Sequence, residues 1–234
     1  METTRTALKY CIIPLVFTEI QNLVSFMGTM WLRGDTVYHN IATSADRAMP
    51  FIPQFVYIYL GFFVFWILNF ILAAKIGKHF FYRVIAAFIL SDAFCFLVYV
   101  FFPTTNAGLR PEIAGDSASM WLMTMVYTFS KPTNLFPSTH CFVTWLSFIC
   151  VRGQKEIPLF YRVFSFIFAL AVFAATQFTK QHVLIDIVSA VILAESMYIL
   201  CGRTGFPKLV ERFFSFINIK LGMEKPARDI SPRA

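Results

Sequence analysis

Residues 51–74, FIPQFVYIYLGFFVFWILNFILAA, run for 24 positions without a charged side chain. At 1.5 Å of rise per residue, about 20 apolar residues cross the roughly 30 Å hydrocarbon core of a bilayer. The stretch therefore reads as a membrane span, and it frames the rest of the chain. Working outward, further apolar runs occupy 10–32, 84–102, 137–151, 163–178 and 182–202. Two of them, 137–151 and 163–178, are short, and the flanking Arg152 and Arg162 can snorkel to extend them. The run 10–32 is the most polar, with Glu19, Gln21 and Asn22, and 84–102 carries Asp92. Composition agrees with this pattern. Hydrophobic residues make up 58% of 234, 29 of them Phe, and the mean hydropathy is +0.65, well above a soluble domain. The expected fold is all-α: a polytopic membrane protein, a six-transmembrane-helix bundle forming one domain over 1–202 without internal repeats.

The net charge of +7 is not gathered into a basic stripe with exposed aromatics, so nucleic acid is not an expected partner. The start, METTRTALKY, lacks a small-residue cleavage site and reads as a cytosolic terminus rather than a signal peptide. Cys11, Cys95, Cys141, Cys150 and Cys201 lie in or beside apolar runs without metal-ligand spacing and are expected as buried free thiols. With the N-terminus inside, fifteen Lys and Arg residues fall on the cytosolic side and five (Arg33, Arg47, Arg110, Lys131, Lys180) on the other. That bias places both termini in the cytosol of a plasma membrane or endoplasmic reticulum. The basic, aromatic tail 203–234 reads as an interfacial helix followed by a disordered end.

The same tally puts loop 103–136, the turn before 137–151 and the turn before 182–202 together on the extracytosolic side. Those segments hold the polar residues of interest. In TKQHVLID, 179–186, His182 and Asp186 are four apart and share one helix face. A carboxylate there accepts one imidazole N–H, fixes the tautomer and leaves the other nitrogen free to attack. In NLFPSTHCFVTWLSF, 134–148, His140 opens an apolar run just after Pro137, a residue tolerated in a first helical turn. Free amides of that turn, with Ser138 and Thr139, suit anionic oxygens, and Arg110 and Lys180 add positive charge. Two histidines, an orienting carboxylate and cations suit phosphoryl transfer: a nucleophile on one side of phosphorus and a proton donor on the other.

These residues resemble the type-2 phosphatidate phosphatase superfamily, the integral-membrane relatives of the vanadium haloperoxidases. Its motifs are K-x6-R-P, P-S-G-H and S-R-x5-H-x3-D. Arg110-Pro111 is similar to the end of the first, PSTH at 137–140 to the second, and His182 with Asp186 to the end of the third, over a catalytic core of about 50–202. The resemblance implies that His182 attacks phosphorus to form a phosphohistidine, Asp186 orients it, and His140 protonates the leaving group. It also implies that Arg110, Ser138, Thr139 and Lys180 contact phosphate oxygens, with Lys131 as a further cation. Three positions depart from the motifs: Pro103 stands for the first lysine, Ala175-Thr176 for the Ser-Arg pair, and Thr139 for the glycine.

The expected activity is hydrolysis of a lipid phosphate, a phosphatidate or a polyprenyl (di)phosphate, without metal or cofactor. The alternative is a phosphotransferase similar to the inositol-phosphorylceramide and sphingomyelin synthases, with an alcohol replacing water. A metal-dependent hydrolase and a non-catalytic lipid transporter are the remaining readings. Asp92, Glu19 and Glu195 lie away from the outer face and are expected to hydrogen-bond between helices. His39 and His79 are expected as solvated loop residues.

Overall fold

The computed structural model describes residues 4–29, 32 and 37–225. Arg33, which entered the charge tally, and the expected disordered end 226–234 lie outside the described residues, as does part of the expected span 10–32. The described chain is helical apart from two short strands. Helix α1, Thr4–Leu23, continues as a π-helical turn, Val24–Gly28. After strand β1, His39–Asn40, and the short helix α2, Ser44–Ala48, come α3, Val56–Ile76, and α4, Lys78–Phe101, joined at Gly77. Strand β2, Thr104–Thr105, pairs in parallel with β1, and α5 is Ala118–Phe129. Helices α6, Thr139–Ile149, α7, Leu159–Phe178, and α8, Leu184–Arg203, complete the bundle, and α9 is Phe206–Lys220.

Among the described residues, five helices are long and apolar enough to cross a membrane: Thr6–Gly28, Pro53–Ile76, Lys78–Phe101, Leu159–Phe178 and Leu184–Arg203. They mark a membrane-embedded protein. The sixth expected run forms an apolar helix of 11 residues, Thr139–Ile149, about 16 Å long by its rise. The long helices are apolar on both sides. Phe70, Phe88 and Val172 are buried inside, while Val64, Leu68, Ile167 and Ile192 face outward. A helix that is hydrophobic all round needs an apolar solvent on its outer face.

The hub is α4, which packs against α1, α3, α6, α8 and α9. Its first turn, Lys78 and His79, extends beyond the apolar run, beside counter-charges in α9 and just after it. Lys78 pairs with Glu224, and His79 lies 3.5 Å from Glu211; His79 is solvated as expected, but helical rather than in a loop. His39 lies in β1 and stacks on Phe102 with ring centroids 4.5 Å apart. Helix α9 is amphipathic: Val210 and Phe214 are buried against the bundle, while Lys208, Arg212 and Lys220 are exposed, with the apolar Leu209, Phe213 and Phe216 also uncovered. All five cysteines are free and buried.

Two carboxylates, the partly exposed Glu195 and the buried Asp92, link helices as expected. Glu195 of α8 pairs with Arg152 and accepts from Trp145 Nε1 at 2.8 Å. Asp92 of α4 accepts from Asn22 Nδ2 at 3.0 Å and from Ser25 Oγ at 2.6 Å, which ties α1 to the hub. Glu19 differs, since it lines a cavity described below. Replacing Asp92 by Ala strands two donors in the bundle. The Asp92→Ala protein should unfold at a lower temperature in detergent, by a destabilisation of about 1–2 kcal/mol. Asp92→Asn should keep most of the stability, and an unchanged midpoint for Asp92→Ala would contradict the tie.

Candidate functional site

The first histidine is placed by a turn held from several sides. Thr104 Oγ1 accepts the Leu135 and Phe136 amides, each at 3.1 Å, and Tyr99 donates to the Pro137 carbonyl at 2.7 Å. Asn134, at φ 57°, adopts the left-handed conformation that asparagine tolerates, and its Nδ2 donates to Thr29 Oγ1 at 2.7 Å. Ser138 then caps α6, its hydroxyl accepting the Cys141 amide at 3.1 Å. His140 follows in the first turn of α6. Its ring stacks on Tyr59 of α3, centroids 4.7 Å apart, and lies 5.0 Å from Phe62. Its Nε2 is buried without a hydrogen-bond partner among the described residues.

The second histidine is carried by the reversal between α7 and α8. The Thr176 carbonyl accepts the Gln181 and His182 amides at 2.9 and 3.1 Å, while the Lys180 amide reaches Gln177 O at 3.0 Å. This is a helix C-terminal motif whose left-handed position is usually glycine. Here it is Lys180, at φ 54°. Its ammonium is anchored on the Asp46 and Met49 carbonyls at 2.9 and 2.5 Å. Asp46 in turn accepts the Leu184 amide at 2.8 Å and so caps α8 from across the sequence. Burial pushes the Asp46 carboxyl up. Hydrogen bonds from Thr43 and from the Leu184 amide, with Lys180 nearby, outweigh that and hold it below the usual carboxylate range. Burial pulls Lys180 below the ordinary lysine range, and Asp46 partly counters it.

In the first turn of α8, Asp186 is fully buried, and its Oδ2 lies 3.1 Å from His182 Nδ1 and accepts the Val183 amide at 3.0 Å. Its backbone carbonyl meets the Ser138 amide at 3.5 Å, joining the two histidine-bearing segments. The ring centroids of His140 and His182 are 6.2 Å apart. In-line transfer, with a nucleophile about 3–3.5 Å from phosphorus and a proton donor about 2.6–3.2 Å from the leaving oxygen, sets the two nitrogens roughly 7 Å apart.

Both histidines line a cavity of 370 Å³. Phe26 and Met27 of the π-turn, Tyr59 and Phe63 of α3, and Leu122 and Phe129 of α5 form much of its wall. A π-turn beside such a cavity is in keeping with where these irregularities occur. Polar groups gather near the histidines: Ser130, Thr133, Asn134, Thr139 and Gln181.

The structure brings His140, His182 and Asp186 together, with Thr139 on the cavity wall. Arg110 stands behind that wall: it donates to Ser130 O and, at 3.0 Å, to Gln181 Oε1, and its guanidinium lies 4.5 Å over the Tyr127 ring. Three expected phosphate contacts sit elsewhere. Lys180 is turned onto the 46–49 carbonyls, Ser138 is a helix cap, and Lys131 is exposed and does not line the cavity. Sequence reasoning missed Tyr59, Ser130, Thr133 and Gln181. Of these, only Gln181, beside His182, had a local signal. Among the described residues no group of three or more His, Cys, Asp or Glu is placed to hold a metal ion.

Comparison with protein-family models, with curated proteins and with solved structures finds no match. The geometry stands on its own. Removing the cap should loosen the α7–α8 reversal: Asp46→Ala is expected to cost about 1 kcal/mol and to speed amide exchange in 180–186. Unchanged exchange there would show that Asp46 does not hold this turn.

Proposed function

We propose that the protein is a membrane lipid phosphatase acting through a phosphohistidine. The observation that carries the proposal is the His182–Asp186 pair, with the His182 ring 6.2 Å from that of His140 on the wall of a largely apolar cavity. Asp186 accepts the Nδ1–H of His182, so Nε2 holds the free lone pair. Nε2 attacks phosphorus as the ester P–O bond breaks, and the leaving oxygen takes a proton from His140 Nε2. In the second half, His140 removes a proton from water, the resulting hydroxide displaces phosphate from His182, and both rings return to their starting state.

A phosphorylated lipid fits because the wall beyond the histidines is aromatic and aliphatic and suits an acyl or prenyl chain. In this reading 137–151 completes a six-span bundle, the termini are cytosolic and the histidines extracytosolic, as the Lys and Arg bias supports. The resemblance to type-2 phosphatidate phosphatases supports the same roles. One observation favours a second reading, transfer to a lipid hydroxyl. His182 is only 8% exposed beside a largely apolar wall, which limits water at the second step.

Purified protein in detergent micelles, given phosphatidate and polyprenyl phosphates, should release inorganic phosphate. His182→Ala and His140→Ala should each reduce release at least about 100-fold. Lipid products formed with added alcohols, without free phosphate, would replace hydrolysis with the second reading. Binding without turnover of every lipid phosphate would leave a non-catalytic carrier.

A further inference from the structure

The cavity holds a difficulty for any phosphate. Among the described residues that line it, none is Lys or Arg, and the one with a formal charge is Glu19. Lys180 is anchored away from it, and Arg110 reaches it only through neighbours. An anion placed between the histidines needs donors from neutral groups.

Gln181 has the required geometry. Its side chain is 1% exposed and lines the cavity with His140 and His182. Its Oε1 accepts two hydrogen bonds, from Arg110 Nη2 at 3.0 Å and from Ser130 Oγ at 3.2 Å. A guanidinium only donates, so Arg110 fixes which end of the amide is oxygen. The other end, Nε2, is buried and has no hydrogen-bond partner among the described residues. Thr133 Oγ1, also on the cavity wall, is buried and unpartnered in the same way. Buried donors are nearly always satisfied, so a pair of unpartnered ones at a cavity calls for an acceptor inside it.

We propose that the Gln181 carboxamide is a catalytic residue of this site, its Nε2 donating to a non-bridging oxygen of the phosphate that His182 attacks. The inference rests on the functional reading above. Arg110 acts through the amide: by donating to Oε1 it polarises the group and strengthens the N–H facing the oxygen. Positive charge reaches the phosphate without a cation entering the cavity, and Ser130 keeps the amide in register. The donor is fixed before substrate arrives, which is the condition under which one hydrogen bond counts most in a transition state.

The test compares wild type with Gln181→Met, Gln181→Glu and Ser130→Ala in detergent, reading kcat and KM on a lipid phosphate and inhibition by orthovanadate, a five-coordinate mimic of phosphoryl transfer. Gln181→Met should lower kcat about 100-fold and weaken vanadate similarly, with the thermal midpoint near wild type. Gln181→Glu, close in shape, should be worse than Met because a carboxylate there repels the anion. Ser130→Ala should lose activity a few-fold, since Arg110 still holds the amide. Met within three-fold of wild type, or Glu equal to Met, would overturn the proposal while leaving the histidine mechanism in place. A wild type with no turnover and no vanadate binding would overturn both.

Discussion

A carboxylate with no exposed surface controls this site. Asp186 takes the His182 ring nitrogen and the Val183 amide on one oxygen, and its carbonyl takes the Ser138 amide from the neighbouring turn. One residue thereby sets an imidazole tautomer, starts α8 and joins it to the segment carrying His140. A carboxylate in a membrane bundle is costly to desolvate, and it persists where its bonds offset that cost. Replacing it by an apolar residue removes two constraints together, because the ring and the helix start share one carboxylate oxygen, while the junction to Ser138 rests on the backbone carbonyl.

The reversal before α8 decides which neighbours face the cavity. Lys180 occupies a left-handed position that costs a non-glycine residue roughly 1 kcal/mol, and its ammonium is held on two carbonyls of segment 46–49. That twist turns the buried Lys180 away from the cavity and Gln181 into it, although they are adjacent. The result is a cavity rim built from neutral donors with Arg110 behind them. The walls from α3 and α5 mix aromatic and aliphatic side chains, and His140 sits against Tyr59 and Phe62.

The spans were legible because a bilayer demands length and hydrophobicity that little else requires, and 51–74, 84–102, 163–178 and 182–202 each became a helix. The start of α4 was not. Lys78 and His79 look like loop residues until α9 and the turn after it bring Glu211 and Glu224 beside them. His140, His182 and Asp186 stood out as polar residues opening apolar runs, and their convergence follows from those helices ending at one face of the bundle. Lys180 misled because a lysine two residues from a histidine looks like a ligand. Its direction depends on one backbone angle and on Asp46, which is 134 positions away. Tyr59 and Phe62 gave no signal among so many aromatics. Ser138 was read as an anion contact, but the same hydroxyl is the cap that α6 needs.

The central claim is that His182 carries the phosphoryl group. The most direct measurement is to mix the protein with a phosphate-labelled lipid, quench in alkali and map the label by mass spectrometry. The account predicts an acid-labile, alkali-stable phosphate on His182 that water discharges, and that accumulates in His140→Ala if deprotonation of water limits the second step. Label on another residue, or turnover with His182 never modified, would contradict it.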